Sequence, residues 1–124
     1  MTSRHVISAT AVVECLRELS DEHLQRRVWL ASSGPEVSSF EEAICGLFDD
    51  TGLGDAIDGG QDVFGREADN LLWLIGRKAA QIDRRWSPEQ VLASEQLQQI
   101  RELAAQASVL VQAIQHDSNS ARSE

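Results

Sequence analysis

Apolar residues recur every three or four positions along most of this chain, and no segment shows a sustained apolar–polar alternation. Phe64, Ala68, Leu71, Leu72, Ile75, Ala79, Ile82 and Trp86 hold the helical spacing without a gap, and predict the longest helix, from about Arg66 to near Arg85. Leu97, Ile100, Ala104, Ala107, Val111 and Ile114 hold it again, widened by Leu103 and Leu110, and predict a last helix to about Gln115. Val12, Cys15, Leu16 and Leu19 mark a helix over Ala9 to Leu19. Leu24, Val28 and Ala31 mark a second, with Trp29 flanking. A chain whose only regular signal has this period buries its apolar stripes helix against helix. The expected fold is therefore all-α: a single-domain bundle of four or five helices with an acidic, glycine-rich connector.

The punctuation agrees with that reading. Ser20 precedes Asp21 and Glu22 and is placed to cap the second helix, although a helix continuous through Ser20 is equally allowed. Gly34-Pro35 is a break. In SSFEEAICGLFDD, Ser38 stands three residues before Glu41 and Ser39 three before Glu42, so either serine suits a capping box. Phe40, Ala43, Ile44, Leu47 and Phe48 then form one stripe, which Gly52 or Gly54 can end in the left-handed conformation. Leu53 to Ile57 fits a short helical turn, and Gly59-Gly60 breaks the chain again. Ser87-Pro88-Glu89-Gln90 has a cap, a proline at the first helical position and a glutamine at the third, and Ser94 can restart the turn. Arg77, Lys78, Arg84 and Arg85 near the end of the predicted long helix complement its dipole and need no ligand to explain them. The expected organisation is a flexible terminus over residues 1–7, one helical domain over 8–115 and a polar, disordered tail over 116–124.

Charge narrows the function more than the fold. The net charge is −9, and all of the excess lies between Glu36 and Asp69, where ten acidic residues meet the single base Arg66. Such a field repels phosphates and anionic membranes and attracts cationic partners. Nucleic-acid and membrane binding are disfavoured. The start of the chain lacks the continuous apolar stretch of a signal peptide, and no apolar run is long enough to span a bilayer, so a cytoplasmic protein is expected.

The densest part of this stretch, LFDDTGLGDAIDGGQDVFG, holds five aspartates and five glycines. It is not an EF-hand. Counted from Asp50, the third and fifth positions are Gly52 and Gly54 and the twelfth is Gln61. From Asp49 the fifth is Leu53 and the twelfth Gly60, and from Asp58 the sixth is Val63. A looser metal site from Asp49, Asp50 and Asp55 stays open as an alternative. His5, His23 and His116 are far apart, and two cysteines, Cys15 and Cys45, make no zinc pattern; both fit apolar helix faces as buried, reduced thiols. There is no phosphate-binding glycine motif and no nucleophile motif, and the adjacent carboxylates Glu41–Glu42 and Asp49–Asp50 follow caps or lie in loops, where solvation is the default. No catalytic residue, metal or cofactor is expected. Trp29 and Trp86 follow arginines that can lie over their rings at the core edge. Trp73 falls one position past the main stripe and is the best aromatic candidate for an interface.

The run SSFEEAICGLFDDTGLGDAIDGG, followed by VFG and a helix that carries acids, resembles a family of small, uncharacterised bacterial proteins, over about residues 8 to 114. The resemblance brings no catalytic motif. It implies the class to which small acidic bacterial proteins without enzyme signatures often belong, immunity proteins and antitoxins. The expected function is a protein-binding module of that type, which docks a cationic toxin domain through Asp49, Asp50, Asp55, Asp58, Asp62 and Trp73. The alternatives are a helical adaptor or homodimer with no inhibitory role, and a small metal-dependent enzyme using the aspartate-rich loop.

Overall fold

The computed structural model describes the backbone of residues 7–31 and 39–122, and the side chains of these as far as residue 115. Seven α-helices and one π-helical turn follow one another, with no strand among the described residues: α1 (Ala9–Ser20), α2 (Glu22–Trp29), α3 (Phe40–Cys45), the π turn (Gly46–Asp50), α4 (Leu53–Asp58), α5 (Arg66–Ala79), α6 (Pro88–Leu92) and α7 (Glu95–Arg122). The fold is an all-α single domain. The break at Gly34-Pro35, the cap at Ser38 and the terminus up to residue 6 lie outside the described residues.

Local chemistry sets most of the helix starts. Ser8 Oγ accepts from the Ala11 amide at 3.2 Å and opens α1. Ser39 Oγ accepts from the Glu42 amide at 3.1 Å and opens α3. Ser87 and Gln90 form the full reciprocal box at α6, with Pro88 behind the cap. Ser94 Oγ accepts from the Leu97 amide at 3.2 Å and starts the next turn, in α7. Each cap satisfies an amide that has no partner inside its own helix. The chain does break between α1 and α2, one residue later than Ser20. Asp21 is the cap, accepting from the Leu24 amide at 3.0 Å with a full negative charge on the helix N-terminus. Gly52, at φ 80, separates the π turn from α4, a conformation that a side chain would strain.

The longest helix, α7, packs along both α1 and α5, and these two pairings carry most of the core. Leu16 and Leu19 of α1, Leu72 and Ile75 of α5, and Leu97 and Ile100 of α7 are fully buried. Leu47 of the π turn and Leu53 of α4 join the same cluster. α7 runs past the predicted end at Gln115 to Arg122.

The long helix predicted to end near Arg85 ends at Ala79 instead. Beyond it the amides of Gln81 and Ile82 turn back to the carbonyls of Lys78 and Ala79 in tighter i→i+3 bonds. Asp83 then accepts the Arg85 amide at 2.8 Å and pairs with its guanidinium. Ile82 stays buried and Trp86 half-buried, although no helix carries them. The apolar spacing was right about which residues turn inward and wrong about the backbone that turns them.

One polar cluster is buried in this frame. Gln25 is 0% exposed and Arg101 is 7% exposed. The Gln25 amide donates to the carbonyls of Glu18 and Leu19, both at 2.8 Å, which closes the C-terminus of α1 from α2. Its oxygen accepts from Arg101 Nε at 2.8 Å, and the guanidinium also donates to Gln98 and to the Leu92 carbonyl. α1, α2, α6 and α7 are thus tied through one pair of side chains, and no buried side-chain donor or acceptor among the described residues is left without a partner.

Candidate interaction surface

Packing and hydrogen bonds to the backbone hold the part of the acidic stretch from the π turn onward. The Thr51 hydroxyl donates to the Leu47 carbonyl and accepts from the Leu53 amide at 3.1 Å, which clamps the π turn to α4. α4 packs against the π turn. Asp49, Asp50, Asp55 and Asp58 are exposed on this unit, and none has a lysine or arginine partner among the described residues. Asp62 is exposed on the loop that follows. Asp69 has a different role: its two oxygens accept from the amides of Val63 and Phe64, each at 2.9 Å, and fold that loop back over the start of α5. Asp69→Ala frees both amides and should lower stability by about 1–2 kcal/mol, visible in urea unfolding, with faster hydrogen exchange confined to residues 61–65. Unchanged exchange at Val63 and Phe64 would refute that assignment.

Trp73 is 47% exposed on the outer side of α5, with the Arg77 guanidinium 5.4 Å from its ring centre. The base over this ring comes from one turn later on the same helix. Trp29, expected at the edge, is a core residue: 4% exposed, with its Nε1 donating to Glu18 at 2.8 Å and its ring edge-to-face with Phe40 at 5.9 Å.

The feature that spacing did not reveal lies beside the acidic unit. A groove of about 570 Å³ runs between α3 with the π turn, the 80–86 segment and α6. Trp29 forms its floor, Phe40, Ile44 and Phe48 one wall, Ile82 and Trp86 the other. The Phe48 ring lies against Gly76 of α5, at a distance where a β-carbon would make an ordinary van der Waals contact. The early end of α5 opens the groove, because a helix continued to Arg85 would carry residues 80–86 along its axis instead of around this space. The sequence carried no signal of it, because Ile82 and Trp86 keep the helical spacing across Asp83-Arg84-Arg85.

Cys45 lies on the rim and is exposed, where a buried thiol was expected; Cys15 is half-buried. The stripe of α3 faces inward through Ala43 and Leu47, and Cys45 falls outside it. Desolvation, followed by the carboxylates of Asp49, Glu41 and Asp50, pushes the Cys45 thiol above its ordinary value. Burial, followed by Glu18, Glu14 and Asp50, does the same to Cys15. A raised value means less thiolate at neutral pH. Iodoacetamide should therefore alkylate Cys45 more slowly at pH 7.5 than an unstructured cysteine peptide, and Asp49→Asn should speed it. Alkylation as fast as the peptide's would contradict this.

Among the described residues no three His, Cys, Asp or Glu side chains converge as a metal ion requires, Asp49, Asp50 and Asp55 included. His23 is exposed on α2, and His5 and the side chain of His116 lie outside the described residues. No described helix is long and apolar enough to cross a membrane. No protein-family model, no curated protein and no solved structure matches the chain.

Proposed function

We propose that this chain is a cytoplasmic protein-binding module of the immunity or antitoxin type, which docks and blocks a cationic toxin domain and performs no catalysis of its own. The observation that supports this is the set of four exposed aspartates, Asp49, Asp50, Asp55 and Asp58, held on one packed unit without a basic partner among the described residues. Carboxylates left without counter-charges at a folded surface repel one another, and a basic partner relieves that repulsion while gaining a faster encounter. A toxin that grips nucleic acid presents such a basic surface, and the aspartates stand where it would hold phosphates. Asp62 extends the acidic surface along the loop, and Trp73 with Arg77 offers a separate aromatic contact on α5.

The test is retention of a basic protein from the native host on the immobilised chain at low salt. A single basic species is expected to elute steeply between about 0.05 and 0.3 M salt, where screening shortens to below ~10 Å. Its toxicity should be relieved when the chain is co-expressed. Elution indifferent to salt would dismiss the acidic docking surface.

A second reading, a homodimer or helical adaptor, draws on Val109, 67% exposed, and Ile114, 37% exposed, on α7. Light scattering separates the two: a dimer insensitive to salt favours the second.

A further inference from the structure

We infer that the groove between α3, the 80–86 segment and α6 receives an amphipathic helix of the basic partner, apolar on its inner face and lined with lysine or arginine along the edge that meets α3. This inference rests on the docking function proposed above and adds a second contact with its own chemistry.

The groove has the shape and lining of a recognition site. Its volume of about 570 Å³ falls within the ~300–1,000 Å³ typical of ligand pockets. The floor is fixed before anything binds, because Trp29 is hydrogen-bonded to Glu18 and stacked edge-on to Phe40. A pre-ordered aromatic floor costs little further ordering on association. One wall is helical and the other is the turn segment 80–86, and neither presents an open strand edge, which suits a helix seated by apolar anchors one turn apart.

Charge selects the occupant. Glu41 and Cys45 line the α3 side, and Asp49 and Asp50 stand one turn further on. Of these, Glu41 lines the groove itself and Asp49 is hydrogen-bonded to the Cys45 thiol at its rim. On the opposite side the lining holds one base, the exposed Arg84, and Asp83, which is paired with Arg85 outside the lining. A neutral apolar molecule would leave the acidic edge unanswered. A second copy of this chain, at −9, would add like charge to it. A helix with a basic edge satisfies both the lining and the rim.

The probe is a synthetic helix of roughly 18 residues built from leucine and lysine, with leucine at i, i+3, i+4 and i+7, and its counterpart with glutamate in place of lysine. Binding is followed by tryptophan emission, since Trp29 and Trp86 line the groove. The lysine helix should bind at least tenfold more tightly than the glutamate helix at low salt, with a blue shift. Ala80→Arg, at an exposed position on the groove wall, should weaken it at least tenfold while leaving circular dichroism and Tm unchanged. Should that variant not fold, Glu41→Gln combined with Asp49→Asn decides: it should weaken the lysine helix and bind the glutamate helix no more weakly than the parent does.

Equal binding of the two helices, or none by about 1 mM, overturns the inference. So does a dimer of the chain that Ala80→Arg dissociates, which would make a second copy the occupant. If Ala80→Arg changes nothing but Asp55→Asn with Asp58→Asn weakens the lysine helix, the groove inference fails and the acidic docking surface stands.

Discussion

Gln25→Leu should lower the stability of this protein by about 3–5 kcal/mol, the range found when one partner of a buried charged network is removed. Leucine nearly matches glutamine in size, so the effect isolates the hydrogen bonds. The glutamine oxygen that accepts from Arg101 Nε is lost, and the carbonyls of Glu18 and Leu19 lose their donor at the end of α1. Arg101 keeps Gln98 and the Leu92 carbonyl and lies 3.8 Å from Glu22, but its Nε–H stays buried and unmet. In urea the midpoint should fall by roughly 2 M for a chain of this size. The double variant Gln25→Leu with Arg101→Met also removes the stranded charge and should recover part of the loss, the remaining cost being the Glu18, Leu19 and Leu92 carbonyls left without their donors. A single variant within 1 kcal/mol of the parent, by the ~1 kcal/mol standard of an ordinary hydrogen bond, would mean that water replaces Gln25 freely and that the cluster is not sealed.

The second large effect concerns the acidic unit. Replacing Asp49, Asp50, Asp55 and Asp58 together by asparagine should cost partner affinity about 2–4 kcal/mol at low salt, roughly 30- to 1,000-fold. Folding stability should stay level or rise slightly. None of the four has a basic partner among the described residues, and their mutual repulsion is relieved. The opposite signs make the prediction specific. A structural role for the cluster would lower stability and leave affinity intact. The loss should shrink as salt rises, because exposed charges are screened beyond about 8 Å at physiological ionic strength. Binding by surface plasmon resonance across a salt series, with unfolding on the same samples, reads both quantities.

These two experiments probe features that differ in how far the sequence discloses them. The aspartates are visible in the order of the residues, since ten acids against one base over a short stretch can hardly be neutralised locally. Gln25 was hidden. In EHLQRRVW it sits among polar residues and looks like a solvent-facing side chain. Its partner, Arg101, is 76 residues away, and no periodicity reports a contact of that range. Cys45 was misplaced for a related reason. Helical spacing admits residues at the margin of a stripe, and only the packing of Ala43 and Leu47 shows where the margin falls.

The sequence alone determined the helical class, the cap at Ser87, a cap at Ser38 or Ser39, a stop at Gly52 or Gly54 and the confinement of the excess charge to one segment. Each of these is a local property: a side chain reaching an amide three residues on, a backbone angle that glycine accepts, a count of charges. Only the tertiary structure decided that α5 stops at Ala79, that Ile82 and Trp86 reach the core through turns, and that a groove with an aromatic floor opens beside the acidic edge. Those outcomes depend on which surfaces α2, α3 and α6 offer to the chain beyond Ala79. An apolar residue at helical spacing can be buried equally well by a helix or by a turn, and the neighbours choose between them.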